Sequence, residues 1–358
     1  MQRRISREVH IGPVIVGGSN PVVIQSMTNT DTRDVEATLE QINRLAKAGC
    51  EIVRVAVLND QAAQVLKNLC TRSPLPVVAD IHFDYKLALK AVESGVQGLR
   101  INPGNIGERW KVQEVVKAVK EREIPIRIGV NAGSLEKDLL EKYQGPSADG
   151  MVESALRHVR ILEEEGYENI KISLKASRVP LMIEAYRKIA DQVNYPLHLG
   201  VTEAGTIRSG VVKSAIGIGT LLAEGIGDTI RVSLTGDPVA EIPVALHILR
   251  VLGLRKGGFE LISCPTCGRT QVDLVRMAEE VEKRLETLPC PEEGLSIAVM
   301  GCVVNGPGEA KEADFGIAGG KGSGLLFQKG EVIARLPEKE LLPALMEKIE
   351  RYIDQNKK

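Results

Sequence analysis

Short runs of apolar or alternating apolar and polar residues recur along the first 255 residues, each followed by apolar positions at helical spacing. The runs predict strands at Val22–Met27, Ile52–Val57, Val77–Ile81, Gly98–Asn102, Ile126–Val130, Ile170–Leu174, Leu197–Val201 and Ile230–Leu234. Helices are expected after them, among others over Asp34–Ala48, Gly107–Glu121, Met151–Glu165 and Val239–Leu252. Eight strand–helix units in about 250 residues is the arithmetic of a TIM (β/α)8 barrel. A doubly wound sheet competes, but it usually opens on a glycine-rich turn. The first turn here, Thr28-Asn29-Thr30-Asp31, has no glycine. Val9–Ser19 reads as a hairpin with Gly17-Gly18 at its turn, placed to plug the bottom of the barrel.

The rhythm breaks at Arg255-Lys256-Gly257-Gly258. A boundary there gives an α/β substrate-binding barrel over residues 1–255 and a smaller α+β domain over 256–358. Helices are expected in the second domain at Gln271–Thr287 and Glu338–Asp354. A chain of 358 residues is too long for one ordinary core and suits such a division. Apolar residues make up 43 % and charged residues 26 %, the balance of a soluble globular protein. The net charge of -1 argues against a general nucleic-acid binder and against a membrane-surface protein. The most apolar long stretch, Gly210–Gly227, carries Lys213 and Glu224 and reads as an internal helix, not a membrane span. Met1–Gly12 lacks the apolar core of a secretory signal. A cytoplasmic location is therefore expected, where grouped cysteines mean metal or catalysis more often than disulfides.

Residues two apart on a strand share a face. Arg100 with Asn102, Arg127 with Gly129 and Asn131, Lys171 with Ser173 and Lys175, and Arg231 with Ser233 each oppose a run of Ile, Leu and Val. Asp80 pairs with His82 in the same way, and Arg54 stands alone among valines. The apolar set must face the helices, so the polar set points into the barrel mouth, where this fold keeps its catalytic groups. Five or more cations meeting in one cavity are costly without anions. Strand-end acids are too few to neutralise them, so an anionic ligand with two phosphates is expected, matched by guanidinium forks. Glu203, in Thr202-Glu203-Ala204-Gly205, is the best placed carboxyl for acid–base work, with a salt-bridge role as the plainer reading. His82 reads as an orienting hydrogen-bonder more than a proton donor.

The second domain holds Cys264-Pro265-Thr266-Cys267-Gly268-Arg269, a C-x2-C knuckle set just before a helix whose N-terminus would favour thiolate. Cys302 follows in Met300-Gly301-Cys302-Val303-Val304-Asn305-Gly306-Pro307-Gly308-Glu309. Three thiols leave a fourth ligand to be found, so an iron–sulfur cluster is favoured, while a structural zinc ribbon on a phosphate-binding barrel stays open. Cys50, Cys70 and Cys290 read as packing residues. Gly316–Gly324 fails the phosphate-loop pattern, because Gly322 follows Lys321, and reads as turns between strands.

These motifs, with Arg100-Ile101-Asn102-Pro103-Gly104 and Thr202-Glu203-Ala204-Gly205 in the barrel, resemble the bacterial 4-hydroxy-3-methylbut-2-enyl diphosphate synthase family of non-mevalonate isoprenoid biosynthesis. The resemblance spans nearly the whole chain, in the short form without the extra domain of plant-type members. It implies an oxidoreductase with a 4Fe–4S cluster on Cys264, Cys267 and Cys302, and Glu309 as an exchangeable fourth ligand. It implies 2-C-methyl-D-erythritol 2,4-cyclodiphosphate as substrate, held by Arg54, Arg100, Asn102, Arg127, Asn131, Lys175, Thr202, Arg231 and Ser233, with Asp80 assisting. Glu203 and Glu309 would be the catalytic carboxyls. A homodimer is implied, in which one subunit's cluster domain closes over the other's barrel, with flavodoxin or ferredoxin as electron donor.

Overall fold

The computed structural model describes residues 2–289, 291–302, 308 and 311–356. It divides into two units, Met1–Leu254 and Arg255–Lys358. The first begins with an antiparallel hairpin, β1 (Val9–Ile11) against β2 (Val14–Val16). Its turn is Gly12-Pro13, and Gly17-Gly18, expected at the tip, follows β2 instead. The reason is a close approach: a Cβ on Gly17 would lie 2.2 Å from the Arg7 carbonyl oxygen, and one on Gly18 2.5 Å from Glu8 Oε1. Only glycine lets the chain leaving the hairpin run against residues 6–8. Val9, Ile11 and Val16 pack on Val23, Ile52 and Val78, an apolar floor under the strands that follow.

Those strands are β3 (Val23–Met27), β4 (Ile52–Ala56), β5 (Val77–Asp80), β6 (Gly98–Arg100), β7 (Ile126–Asn131), β8 (Ile170–Lys175), β9 (His198–Leu199) and β10 (Thr229–Ile230). They are parallel and ordered β8-β7-β6-β5-β4-β3-β10-β9, with a helix after each, which is the expected (β/α)8 barrel. The ring closes between β8 and β9 through a single parallel bridge, Ile172 to Leu197. Tyr186, buried on the helix Val179–Ala190, secures that seam. Its hydroxyl accepts the Leu174 N–H at 2.9 Å and donates to the His198 carbonyl.

Strand residues that face outward, such as Val53, Leu99, Ile128 and Leu174, merge with the helices into one core. The apolar stretch Gly210–Gly227 lies largely in the helix Ile207–Ala223, whose Ile218, Leu221 and Leu222 join that core. Among the described residues no helix is long and apolar enough to cross a membrane. Strands β6, β9 and β10 end two or more residues short of their expected ends, and β4 and β5 one residue short; beyond β6 and β10 side chains take over the ladder. Asn102, past β6, accepts the Gly129 N–H through Oδ1 at 2.8 Å and donates Nδ2 to the Gly129 carbonyl at 3.0 Å. Past β10, a Glu241 carboxylate oxygen accepts the Leu234 N–H at 3.0 Å.

The second unit is a five-stranded sheet of β11 (Phe259–Ser263), β12 (Leu295–Met300), β13 (Phe315–Ala318), β14 (Ser323–Gln328) and β15 (Glu331–Pro337), in that order. The first three are parallel and the last two antiparallel. The helices Leu274–Leu285 and Glu338–Gln355 bury their apolar stripes against Ile297, Val299, Phe315 and Ile317. The glycine-rich stretch 316–324 falls in β13, β14 and the turn joining them.

Tyr186→Phe keeps the ring and deletes the hydroxyl at the seam, leaving a buried N–H and a buried carbonyl unserved. We expect a loss of about 1–3 kcal/mol in denaturant unfolding; an unchanged midpoint would show that the seam holds without it.

Candidate active site

Strand alternation dictates what the barrel encloses: residues that do not face the helices face the axis. Arg100, Arg127, Lys171 and Lys175 are only 3–7 % exposed there, and Arg54 and Arg231 are half-buried beside them. Against these six cations the same interior sets two carboxylates. Asp80 lies 3.3 Å from Arg100 Nη1 and 3.6 Å from Arg54 Nε. Glu241, 3 % exposed, lies 3.6 Å from Arg231 Nε and accepts from Ser26 Oγ at 3.1 Å. Asp228 is committed elsewhere, to Arg3, Ser6 and the Leu197 N–H.

The shortage of anions shows in the chemistry of each group. Burial would raise the Asp80 pKa, but the guanidinium groups of Arg54, Arg100 and Arg127 hold it below the usual carboxylate range. Burial, then Arg231, Arg54 and Arg127, push Lys175 well below an ordinary amine. Lys171 is pushed the same way by burial, Arg127 and Arg54. Arginine holds its proton far more firmly than lysine, so the lysines yield first. Arg54 donates to the thioether sulfur of Met27 from Nε at 3.1 Å and Nη2 at 2.8 Å, a weak acceptor where a carboxylate would be expected. Arg100 reaches the Gly129 carbonyl at 2.8 Å, and a Cβ on Gly129 would sit 2.5 Å from Arg100 Nε. Glycine there is what lets the guanidinium cross the barrel.

The remaining residues expected at the mouth lie at the C-terminal ends of the strands. Asn131 ends β7 opposite Lys175, while Asn102, Thr202 and Ser233 are half-buried just past β6, β9 and β10. Glu203 is exposed and stands at φ 51°, the left-handed region that a non-glycine residue enters at a cost of about 1–2 kcal/mol. Such strain concentrates at functional sites. His82 is exposed, with both ring nitrogens 3.3 Å from Arg100 Nη1 and Nε2 3.7 Å from Asp80. A further tie steadies two mouth loops: buried His158 accepts the Gly104 N–H at 3.0 Å and lies 3.4 Å from Glu136, which Ser154 Oγ also reaches at 3.0 Å.

Sequence reasoning missed Glu241 and His158 as parts of this constellation and set Lys171 at the mouth. Glu241 sits in the first turn of the helix Glu241–Val251, where an acid ordinarily serves the helix dipole. Lys171 shows the expected strand face but lies deeper than the mouth, beside Gln25, Val78 and Ile11 of the hairpin. His158 belongs to the helix Ala148–Glu164, with nothing in its local pattern to mark it.

In the second unit, β11 and β12 run side by side with Ser263 opposite Val299, so Cys264 and the Gly301-Cys302 pair leave adjacent strand ends. Cys264 Sγ accepts the Gly301 N–H at 3.2 Å, and the Cys267 N–H reaches Thr270 Oγ1 at 3.1 Å. The helix expected immediately after the knuckle starts later, at Leu274, and its N-terminus is capped by Asp273, so it does not serve the thiols directly. Among the described residues no three ligand groups already meet as a metal site. The donor set, three soft thiols leaving neighbouring strand ends, still suits an iron–sulfur group or zinc. Residues 303–307 and Glu309 lie outside the described residues, as does Cys290. Burial pushes the thiols of Cys50 and Cys70 up to about 12, in keeping with a packing role.

Comparison with known proteins follows this division. Residues 6–246 match the family model described as the GcpE TIM-barrel domain, and residues 260–351 match the GcpE protein C-terminal domain. A Geobacter sulfurreducens relative named 4-hydroxy-3-methylbut-2-en-1-yl diphosphate synthase (flavodoxin) is 62 % identical over 348 residues, covering 97 % of this chain and 98 % of its own. A Clostridium perfringens relative of the same name is 61 % identical over 350 residues, covering 98 % of this chain and 99 % of its own. Among solved structures, 3-dehydroquinate dehydratase from Geobacillus kaustophilus superposes with a TM-score of 0.50 at 14 % identity, over 70 % of this chain and 99 % of that one. That likeness concerns the barrel fold alone.

Asp80→Asn removes one of the two carboxylates that face the cations, and is expected to cost about 3 kcal/mol at neutral pH. Because the folded-state pKa is depressed, Asp80 stabilises the fold above about pH 4, its value when unfolded. That contribution fades as pH falls further, through the lower folded value. Urea midpoints across a pH series should show this acid-side loss in the wild type and a smaller one in the variant. Equal stability at pH 7 would contradict the role given to Asp80.

Proposed function

The chain belongs to the GcpE family, and on that premise we propose that it converts 2-C-methyl-D-erythritol 2,4-cyclodiphosphate into 4-hydroxy-3-methylbut-2-enyl diphosphate, as a step of non-mevalonate isoprenoid biosynthesis. Two electrons and two protons enter, the cyclic diphosphate opens, and one oxygen leaves as water. The observation that carries this reading is the excess of buried cations over carboxylates in the barrel. A ligand bearing two phosphates supplies the missing negative charge where guanidinium forks can grip it.

Arg54, Arg100, Arg127 and Arg231 bind the phosphates in this reading, and their negative charge offsets the burial and neighbouring guanidinium groups that weaken the hold of Lys175 on its proton. Asn102, Asn131, Thr202 and Ser233 hydrogen-bond the ligand, and Asp80 keeps Arg54 and Arg100 aimed. Glu203, in its strained conformation at the end of the strand region, hands a proton to the departing hydroxyl. Cys264, Cys267, Cys302 and Glu309 would hold a 4Fe–4S cluster, which when bound supplies electrons one at a time. Flavodoxin is the donor we favour, on the names of the relatives, and a homodimer in the cytoplasm is part of the same reading.

The test is anaerobic turnover of the iron- and sulfide-reconstituted protein with the cyclic diphosphate and a strong reductant, followed by phosphorus NMR. A linear allylic diphosphate is the expected product; an intact cluster with no conversion would overturn the substrate assignment. Metal analysis that finds zinc without sulfide would overturn the cluster. Glu203→Gln should bind the cyclic diphosphate normally and turn over about 10²-fold or more slowly. Near-normal turnover would remove Glu203 from proton transfer.

A further inference from the structure

Below the mouth, toward the hairpin, the barrel encloses a void of about 10 Å³, lined by Gln25, Arg127 and Lys171 with Ile11, Val78 and Gly98 among its apolar walls. That is room for one small particle, a water or a monatomic ion. The three polar side chains are 2–3 % exposed. Lys171 Nζ, Arg127 Nε and Nη2, and Gln25 Nε2 are all buried without a hydrogen-bond partner in the chain. The acceptor oxygen of Gln25 is already taken by Arg127 Nη1 at 3.3 Å. The unpartnered polar atoms of these lining side chains are thus all donors.

A water molecule brings two hydrogens of its own, and while Lys171 keeps its proton these lining side chains offer it only the second lone pair of Gln25 Oε1. An anion accepts from every donor and offsets the repulsion between Lys171 and Arg127. We propose that the barrel floor is an anion site that holds one chloride-sized monatomic ion between Lys171, Arg127 and Gln25. The charges facing Lys171 are Arg127 on β7, Arg54 on β4 and Asp228 ahead of β10. Asp228 is the single anion among them, and its oxygens are occupied by Ser6, Arg3 and the Leu197 N–H. The site is structural and does not depend on the reaction proposed above: it would secure the lower half of Arg127's surroundings whatever binds at the mouth.

Thermal unfolding of the full-length protein in sodium chloride against sodium gluconate, at constant ionic strength, tests the idea. The wild type should melt at a temperature that rises with chloride and saturates. Lys171→Met should be flat to chloride, and Lys175→Met, at the mouth, should keep the dependence. Loss of the dependence in Lys175→Met with its retention in Lys171→Met would place the ion at the mouth and overturn the proposal. A crystal grown in bromide gives a second readout that needs no variant. An anomalous peak among Lys171, Arg127 and Gln25 is expected, and a floor without one would mean water beside a neutral lysine.

Discussion

Buried positive charge is the constraint around which the barrel is arranged. Four cations are almost wholly enclosed and two more are half-buried, while the interior offers them Asp80 and Glu241. A charge taken out of water has to be paired, hydrogen-bonded or discharged. Pairing and hydrogen bonding both occur here: Arg100 is paired with Asp80 and Arg54 leans on a thioether, while burial with neighbouring guanidinium groups weakens the hold of Lys171 and Lys175 on their protons. The barrel is therefore poised for anions, and a doubly phosphorylated ligand removes a conflict that the protein otherwise carries.

The surrounding fold is shaped to tolerate that conflict. Glycine at position 129 clears the path of Arg100, and glycine at position 200 leaves room for Lys175, whose Nζ would stand 3.0 Å from a Cβ there. Asn102 and Glu241 finish strand edges with side chains, so the ladder ends where the ligand has to enter. At the other end, the apolar hairpin seals the floor, keeping water from screening the charges above it. The barrel closes through one bridge and a tyrosine hydroxyl, which makes the seam between β8 and β9 the place where the ring depends most on a side chain.

The second unit uses a different device. Parallel neighbours β11 and β12 deliver Cys264 and Cys302, separated by 37 residues of sequence, to adjacent strand ends. A backbone N–H at Gly301 donates to Cys264 Sγ, the kind of contact that tunes a sulfur ligand. Thiols spaced this way suit a group held by soft donors, and the capped helix that follows contributes packing, not charge.

Much of this was legible from the residues. Alternation along a strand is a local property, so the period-two pattern alone placed Arg100, Arg127, Lys175 and Arg231 on the inner face and predicted eight strand–helix units. The cysteine motifs were likewise readable, since their spacing is contiguous in the chain. Three things were not. The hairpin's tip went to Gly12-Pro13 because Gly17 and Gly18 were needed for a close approach to residues 6–8. Glu241, His158 and the depth of Lys171 depend on which helix or strand layer meets which, and no local pattern encodes that. Which carboxylates balance the barrel's cations is a property of the closed ring: residue order is enough to show which side chains face inward and that strand-end acids are too few for them, whereas packing in three dimensions sets Asp80 and Glu241 against the cations and commits Asp228 elsewhere, because pairing across strands depends on distance in space and not along the chain.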